Sequence, residues 1–214
     1  MRRIAFACVA ALLSWAATAD APADARAAER LDGALKGLTS FRAEFRQRVI
    51  DAGGQQTDSA DGTVALARPG KFRWDYRTPP QLIVSDGTTV WLYDTDLEQV
   101  TVRPAAEALV GTPALLLSGQ ADIRAEFTVT DGGTSDGLSW SVLAPKDAQS
   151  DFRELHVGIA DGDLRRMILV DRLGQTTRLD FERIERNPRL DAGSFSFTPP
   201  PGVDVIGRAP AGGT

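Results

Sequence analysis

A single histidine, His156, limits the acid–base and metal chemistry open to this chain. It lies in the stretch RELHVGI, where Leu155, Val157 and Ile159 alternate with it as side chains alternate along a strand. The pattern predicts a strand that buries the three apolar side chains and leaves His156 on the exposed face. A Ser-His-Asp triad or a histidine-rich metal site would need a differently placed imidazole, so the sequence predicts no catalytic residues and no metal site.

Two other stretches lack the spacing of known phosphate and calcium sites. The stretch GTVALARPGK does not have the glycine and lysine positions of a Walker A loop. Asp94, Asp96 and Glu98 bring three carboxylates together, but the glycine and the distal glutamate of an EF-hand loop are missing. A plain turn is the simpler interpretation, and we expect a protein that works without a cofactor.

The stretch ARPGKFRWDYRTPP concentrates aromatic side chains at alternate positions. Phe72, Trp74 and Tyr76 share one face of a predicted strand, and every residue between them is charged. Such a face can be part of an ordinary core, or it can form the wall of an apolar hollow. Arg68 stands just before the Pro-Gly pair that precedes this strand.

The next predicted strand, TTVWLYD, leaves its orientation open. Val90 and Leu92 lie on one face, and Trp91 and Tyr93 lie on the other. Because both pairs are apolar, alternation does not decide which pair faces the aromatic side of the preceding strand. Trp91 and Leu92, one from each face, are therefore both candidates for the wall of a hollow.

The elements that must position these residues follow from a change of period. In ADARAAERLDGALKGL, Leu31 and Leu35 recur at helical spacing, and Asp24 is expected to be the N-cap. From SFRAEFRQRVID onwards the period is two, and turn-prone pairs recur about every eight to twelve residues. The clearest is Asp86-Gly87, for which we expect a two-residue type I′ turn. The spacing predicts about ten to eleven short antiparallel strands.

Residues 103–120, RPAAEALVGTPALLLSGQ, interrupt the alternation. The segment is nearly all apolar and is divided by Gly111 and Pro113, which predicts short helical pieces that cover apolar surface. The order of helix, strands, helical insertion and strands predicts a single α+β domain. In it, helices cover the inner face of one large antiparallel sheet.

The N-terminal residues have the features of a secretory signal peptide, which are a basic start, an apolar stretch and the small-residue site ATA. We expect residues 1–19 to be removed, residues 20–207 to form the domain, and residues 208–214 to be a flexible tail. The one cysteine, Cys8, falls in the apolar stretch, so the mature chain would have no thiol. Loss of two arginines with the signal peptide would make the formal net charge of −5 more negative, which argues against nucleic acid as a partner.

The stretch RPGKFRWDYRTPPQLIVSDGTTVWLYDTDLEQVTVRP resembles the central signature of the LolA family, the periplasmic outer-membrane lipoprotein carrier proteins. Three other pieces agree with this resemblance. SFRAEFRQ follows the first helix, GTPALLLSG is similar to the lid segment of the family, and FSFTPPPGVDV is similar to its closing motif. Together they extend from residue 30 to residue 205, nearly all of the predicted mature chain.

The resemblance implies a half-open antiparallel β-barrel with a helical lid over an apolar hollow. It also implies a monomeric chaperone that holds the acyl chains of lipoproteins in this hollow. An ABC-type complex of the inner membrane would release the lipoprotein to the carrier. The carrier would then cross the periplasm and deliver its cargo to a receptor in the outer membrane.

The resemblance further implies roles for particular residues. Phe72, Trp74 and Tyr76, with Trp91 or Leu92 from the next strand, would line the hollow. In the family, the arginine that matches Arg68 hydrogen-bonds to the lid backbone and holds the empty carrier closed. The lid contacts carried over from GTPALLL are Pro113, Ala114, Leu115 and Leu116.

Three alternatives stay open from the sequence. A relative with the same half-barrel could carry or sense another lipidic ligand, such as a glycolipid. An esterase or lipid hydrolase could use the same hollow, but it would need a base near a hydroxyl, and no candidate histidine is available. A structural module that binds the cell envelope is the third.

Overall fold

A computed structural model describes residues 22–108, 117–119 and 122–209 of the chain. The predicted signal peptide with Cys8 and the last five residues of the predicted tail lie outside these ranges. The signal peptide and the flexible tail therefore stay predictions. Three helices, a 3₁₀ turn at Ala192–Phe195 and twelve strands lie wholly within the described residues. Their bounds are α1 (Ala23–Leu35), β1 (Ser40–Ile50), β2 (Gln56–Ala67), β3 (Lys71–Thr78), β4 (Pro80–Asp86), β5 (Thr89–Asp94), β6 (Gln99–Pro104), α2 (Ala105–Ala108), α3 (Ile123–Glu126), β7 (Phe127–Ser135), β8 (Leu138–Pro145), β9 (Phe152–Ala160), β10 (Asp163–Asp171), β11 (Thr176–Arg186) and β12 (Asp204–Gly207).

The strands form one open sheet in the order β12-β6-β5-β4-β3-β2-β1-β11-β10-β9-β8-β7. Consecutive strands pair as antiparallel hairpins from β1 to β6 and from β7 to β11, and β1 pairs with β11 to join the two halves. The predicted open antiparallel sheet is therefore confirmed. None of the helices in the described ranges is both long and apolar enough to cross a membrane.

The twelfth strand, β12, was not predicted. It pairs with β6 in parallel, with Val205 opposite Val100, and forms one edge of the sheet. It is only four residues long and all four are exposed. Four residues are too few for a period of two to be recognised, and the exposed side chains give no alternation of burial. The described residues thus contain twelve strands, one or two more than the estimate of about ten to eleven.

Helix α1 packs on the inner face of β7, β8 and β9. Its buried side includes Ala27, Leu31 and Leu35, as its spacing predicted. The expected N-cap was wrong, because the helix begins at Ala23 after Pro22. The Asp24 carboxylate instead accepts a hydrogen bond from the backbone N–H of Asp131 in β7, at 2.8 Å. An acidic residue in the first turn thus fixes the helix to the sheet instead of capping it.

The hairpin between β4 and β5 lies where Asp86-Gly87 predicted it, but its turn type was wrong. Gly87 has a φ of 100°, whereas Asp86 does not have a positive φ. The Asp86 carboxylate accepts hydrogen bonds from the amides of Thr88 and Thr89 and from the Thr88 hydroxyl. Burial alone would raise the pKa of Asp86, but these bonds and the charge of Lys71 outweigh it and lower the pKa. A side chain closes this loop in place of a two-residue turn.

Candidate ligand-binding site

The concave face of the sheet encloses a cavity of about 520 Å³. Side chains from β1, β3, β4, β5, β6, β10 and β11 line it, together with Ala108 at the end of α2. We call this cavity the hollow. Its wall is mainly apolar, and its described apolar and aromatic members are Phe72, Trp74, Tyr76, Ile83, Val90, Leu92, Ala108, Leu169 and Leu179.

The three aromatic residues predicted from the alternation of β3 all face the hollow. Trp74 and Tyr76 are stacked with their ring centroids 6.5 Å apart, and Phe45 of β1 packs edge-on against both at 4.9 Å. Phe72 and Trp74 are nevertheless almost completely buried. The same strand face therefore serves two purposes, because it is part of the core and also part of the wall of the hollow.

On β5, the hollow is lined by Val90 and Leu92. The prediction that Trp91 lines the hollow was wrong, because its side chain lies on the opposite face of the sheet. There Trp91 packs against Phe197 with the ring centroids 6.4 Å apart, and Tyr93 packs against the same ring at 5.9 Å. The C-terminal segment covers this outer face, which explains why both faces of β5 are apolar.

The hollow also contains a polar pair that the sequence did not indicate. The Tyr76 hydroxyl donates a hydrogen bond to Oε1 of Gln47 at 3.3 Å, and both residues line the hollow. Burial raises the pKa of Tyr76 to about 12, so the phenol is neutral at physiological pH. The pair places a satisfied polar contact in the mainly apolar wall, and neither of its two side chains is ionised.

Arg68 connects two parts of the chain near one end of the hollow. Its Nε donates to the carbonyl oxygen of Leu117 at 3.0 Å, and its Nη1 donates to the carbonyl oxygen of Leu35 at 3.2 Å. The first bond reaches the segment that follows the predicted lid, and the second reaches the last residue of α1. Partial burial, followed by the charge of Arg186, lowers the pKa of Arg68 from its ordinary value, but a guanidinium stays protonated at neutral pH.

Arg186 is a neighbouring arginine that sequence reasoning missed. Its two terminal nitrogens donate to the carbonyl oxygens of Ala34 at 2.6 Å and Lys36 at 2.9 Å. The last carbonyls of a helix have no partner within the helix, and these two arginines bind three consecutive ones. The two hydrogen bonds of Arg186 thus stabilise the end of α1.

The predicted lid residues Pro113, Ala114, Leu115 and Leu116 lie outside the described residues. The described residues that follow them are held closely against the turn that contains Arg68. Leu117 is almost completely buried, and the Gly70 amide donates to the carbonyl oxygen of Ser118 at 3.1 Å. A Cβ atom on Gly119 would lie only 2.7 Å from Cδ of Arg68, so the two segments are in direct contact there.

We expect Gly119→Ala to destabilise the protein more than Gly54→Ala does. Both glycines have positive φ, +67° and +83°, so both variants incur the left-handed backbone penalty of about 1–2 kcal/mol. Only at residue 119 would the new methyl group also push against Arg68, because no atom lies within 4 Å of it at residue 54. Urea denaturation of the two variants and the parent measures the difference. Equal losses would contradict tight contact between Arg68 and residue 119.

The structure brings together no catalytic group around His156 within the described residues. Its side chain is partly exposed on β9, and its Nε2 lies 2.9 Å from Oε2 of Glu154 on the same strand. Across the described ranges, no three His, Cys, Asp or Glu side chains are arranged to hold a metal ion.

Comparison with known proteins supports the family resemblance over most of the chain. A family model described as outer membrane lipoprotein carrier protein LolA matches residues 36–198. An outer-membrane lipoprotein carrier protein of Dechloromonas aromatica is 46% identical, over 87% of this chain and 90% of the relative. One of Methylobacillus flagellatus is 42% identical, over 94% of this chain and 95% of the relative.

Two solved structures share the fold at low sequence identity. An uncharacterized conserved protein of Thermus thermophilus has a TM-score of 0.52 and 16% identity, covering 86% of this chain and 98% of its own. A LolA superfamily protein of Nitrosomonas europaea has a TM-score of 0.50 and 14% identity, covering 83% of this chain and 99% of its own. At such identities the likeness is evidence of fold alone.

Proposed function

The chain belongs to the family of outer membrane lipoprotein carrier proteins, and from this membership we propose that it carries lipoproteins by holding their acyl chains in the hollow. The observation that supports this mechanism is the apolar concave cavity of about 520 Å³. Cavities of roughly 300–1,000 Å³ with mainly apolar walls are typical binding sites for small hydrophobic groups. Acyl chains are such groups, and the hollow would keep them out of water.

The free energy of acyl-chain burial is so large that part of it must be offset before the carrier can release its cargo. Removing one methylene from water is worth about 0.8 kcal/mol, so a chain of about fifteen methylenes gains ~12 kcal/mol. Two such chains would gain ~24 kcal/mol, which exceeds the roughly 18–21 kcal/mol at which noncovalent affinities saturate. A carrier that has to release its cargo must therefore offset part of this gain, and an opening step that breaks protein contacts provides such an offset.

Arg68 is the proposed lock of this opening step. Its bond to the Leu117 carbonyl joins the end of β2 to the residues after the lid segment, while its bond to Leu35 joins the same point to α1. Only the first of these bonds has to break if the segment around residue 117 moves away from the sheet. The lid contacts Pro113, Ala114, Leu115 and Leu116 belong to the same proposal.

The partners and the compartment complete the proposal. Carriers of this family act outside the cytoplasm, and the predicted signal peptide supports the periplasm as the compartment. We assign loading to an ABC-type complex of the inner membrane and unloading to an outer-membrane lipoprotein receptor. A monomer is sufficient for this role, because the proposed binding site is formed by one chain.

Native mass spectrometry of the protein purified from the periplasm tests the proposal. We expect part of the population to carry one acylated protein, and we expect this complex to disappear when the cargo cysteine cannot be acylated. Co-purification of a glycolipid or phospholipid in place of acylated protein would contradict the cargo assignment. Acylated protein bound equally well by Phe72→Glu would contradict the hollow as its site.

A further inference from the structure

Arg103 is the one charged side chain among the described residues that line the hollow. It lies on β6 directly opposite Val90 of β5, and both side chains face the hollow. No aspartate or glutamate belongs to the described part of the wall. An arginine in this position places an uncompensated positive charge beside an apolar surface that the proposed function fills with acyl chains.

The Arg103 side chain makes neither a hydrogen bond nor an ion pair with another residue of the described ranges. Glu107 lies four residues further on, at helical spacing, yet its carboxylate is exposed and does not pair with Arg103. The polar pair of the wall differs in this respect. Gln47 and Tyr76 satisfy each other, whereas the five donors of the Arg103 guanidinium have no acceptor among the described residues.

The position of Arg103 fits the polar end of a lipid. Strand β6 is next to the edge of the open sheet, and the Arg103 side chain is exposed to solvent. Thr101, two residues earlier on the same face, adds a hydroxyl to this side of the wall. The neighbouring wall on β4 and β5 is apolar, so the two polar side chains of β6 lie directly beside an apolar part of the hollow.

We propose that Arg103 binds an oxygen acceptor, a carboxylate or an ester carbonyl, at the polar end of a lipid whose chain occupies the hollow. This inference rests on the proposed function, because it needs an acyl chain in the hollow. A guanidinium binds a carboxylate through two parallel hydrogen bonds and a carbonyl through one or two. An acyl chain beside the guanidinium excludes water and strengthens these bonds, since the local dielectric constant falls. The bound lipid would thereby have a fixed orientation, with its polar end at β6.

Displacement of a fluorescent apolar probe from the purified protein by palmitate, methyl palmitate and hexadecane tests this assignment. The three ligands share an acyl-length chain and differ in the acceptor at its end. We expect Arg103→Leu to weaken palmitate at least tenfold and to leave hexadecane unchanged. The change for methyl palmitate identifies the acceptor, since an additional loss there shows that an ester carbonyl is also bound and no loss there shows that the carboxylate is required.

Arg48→Leu is the matched control, because Arg48 is an exposed arginine of β1 that lies outside the hollow. It should leave the binding of all three ligands unchanged. An equal loss for all three ligands in Arg103→Leu would mean that Arg103 only supports the structure, and no loss for any would mean that it contacts no lipid; either result overturns the inference while acyl-chain binding stands. Failure of the parent to bind any of the three ligands would overturn the proposed function as well.

Discussion

An Arg68→Leu protein should take up lipoprotein as readily as the parent and should transfer it to an acceptor about 10- to 150-fold more slowly. In the proposed lock, the bond from Nε of Arg68 to the Leu117 carbonyl belongs to the closed state and is absent in the open one. A hydrogen bond from a charged donor is worth about 1.5–3 kcal/mol, which corresponds to that range of equilibrium constants. Without the bond, opening needs less free energy, so loaded protein is favoured relative to empty, closed protein.

The second bond of Arg68 requires a control. Leucine at residue 68 also leaves the Leu35 carbonyl without its donor, which weakens the end of α1. Arg186→Leu removes the two bonds to Ala34 and Lys36 at the same helix end and keeps the arginine that donates to the Leu117 carbonyl. We expect Arg186→Leu to lower the free energy of unfolding without changing the ratio of loading to transfer.

Loading from inner-membrane vesicles and transfer to an acceptor are measured side by side for the three proteins. The lock is supported if only Arg68→Leu accumulates loaded complex. A parental transfer rate in Arg68→Leu would show that this arginine does not restrain opening. A parallel decrease of both steps in Arg68→Leu and Arg186→Leu would show that Arg68 merely stabilises α1.

Alternation predicted the orientation of β3 but could not predict that of β5. On β3 every second residue is charged, so the aromatic face had to be the buried one. On β5 both faces are apolar, because Val90 and Leu92 line the hollow while Trp91 and Tyr93 pack under Phe197. The face that lies away from the hollow is covered by a segment about a hundred residues further along the chain. Local periodicity gives no information about such a distant contact.

The contacts of Arg68 and Arg186 could not be predicted from local sequence either. The proposed role of Arg68 came from resemblance to a family, since nothing in the sequence near residue 68 indicates an acceptor at residue 117. Arg186 follows the charged residues of β11 and looks like one more exposed cation. Its partners at the end of α1 are 152 and 150 residues away in sequence, and only the pairing of β1 with β11 brings them together. Similarly, Asp24 had the residue type and position of an N-cap, but a tertiary contact with β7 uses its carboxylate instead.

A Phe72→Glu protein should fold and be exported, and it should bind acyl chains at least a hundredfold more weakly than the parent. Phe72 lines the hollow and packs beside the aromatic cluster of β3, with only 6% of its surface exposed. A carboxylate there must lose its water when acyl chains enter, and removing an unpaired polar or charged group from water costs several kcal/mol. Each 1.4 kcal/mol of that loss weakens binding about tenfold.

Lys71→Glu is the matched control for this prediction, because residue 71 lies on the same strand with its side chain exposed on the opposite face. It introduces the same carboxylate, and it should bind acyl chains like the parent. Circular dichroism and urea denaturation show whether each variant is folded, and binding is compared only between folded proteins.

The carboxyl of Phe72→Glu should have a raised pKa when chains surround it, because burial disfavours the charged form. Lowering the pH should therefore restore part of its binding, since the protonated form is neutral, and should change that of Lys71→Glu little. Parental binding by Phe72→Glu at neutral pH would place the acyl chains elsewhere, and a loss that does not recover at lower pH would point to disrupted packing around residue 72 instead of a desolvated charge.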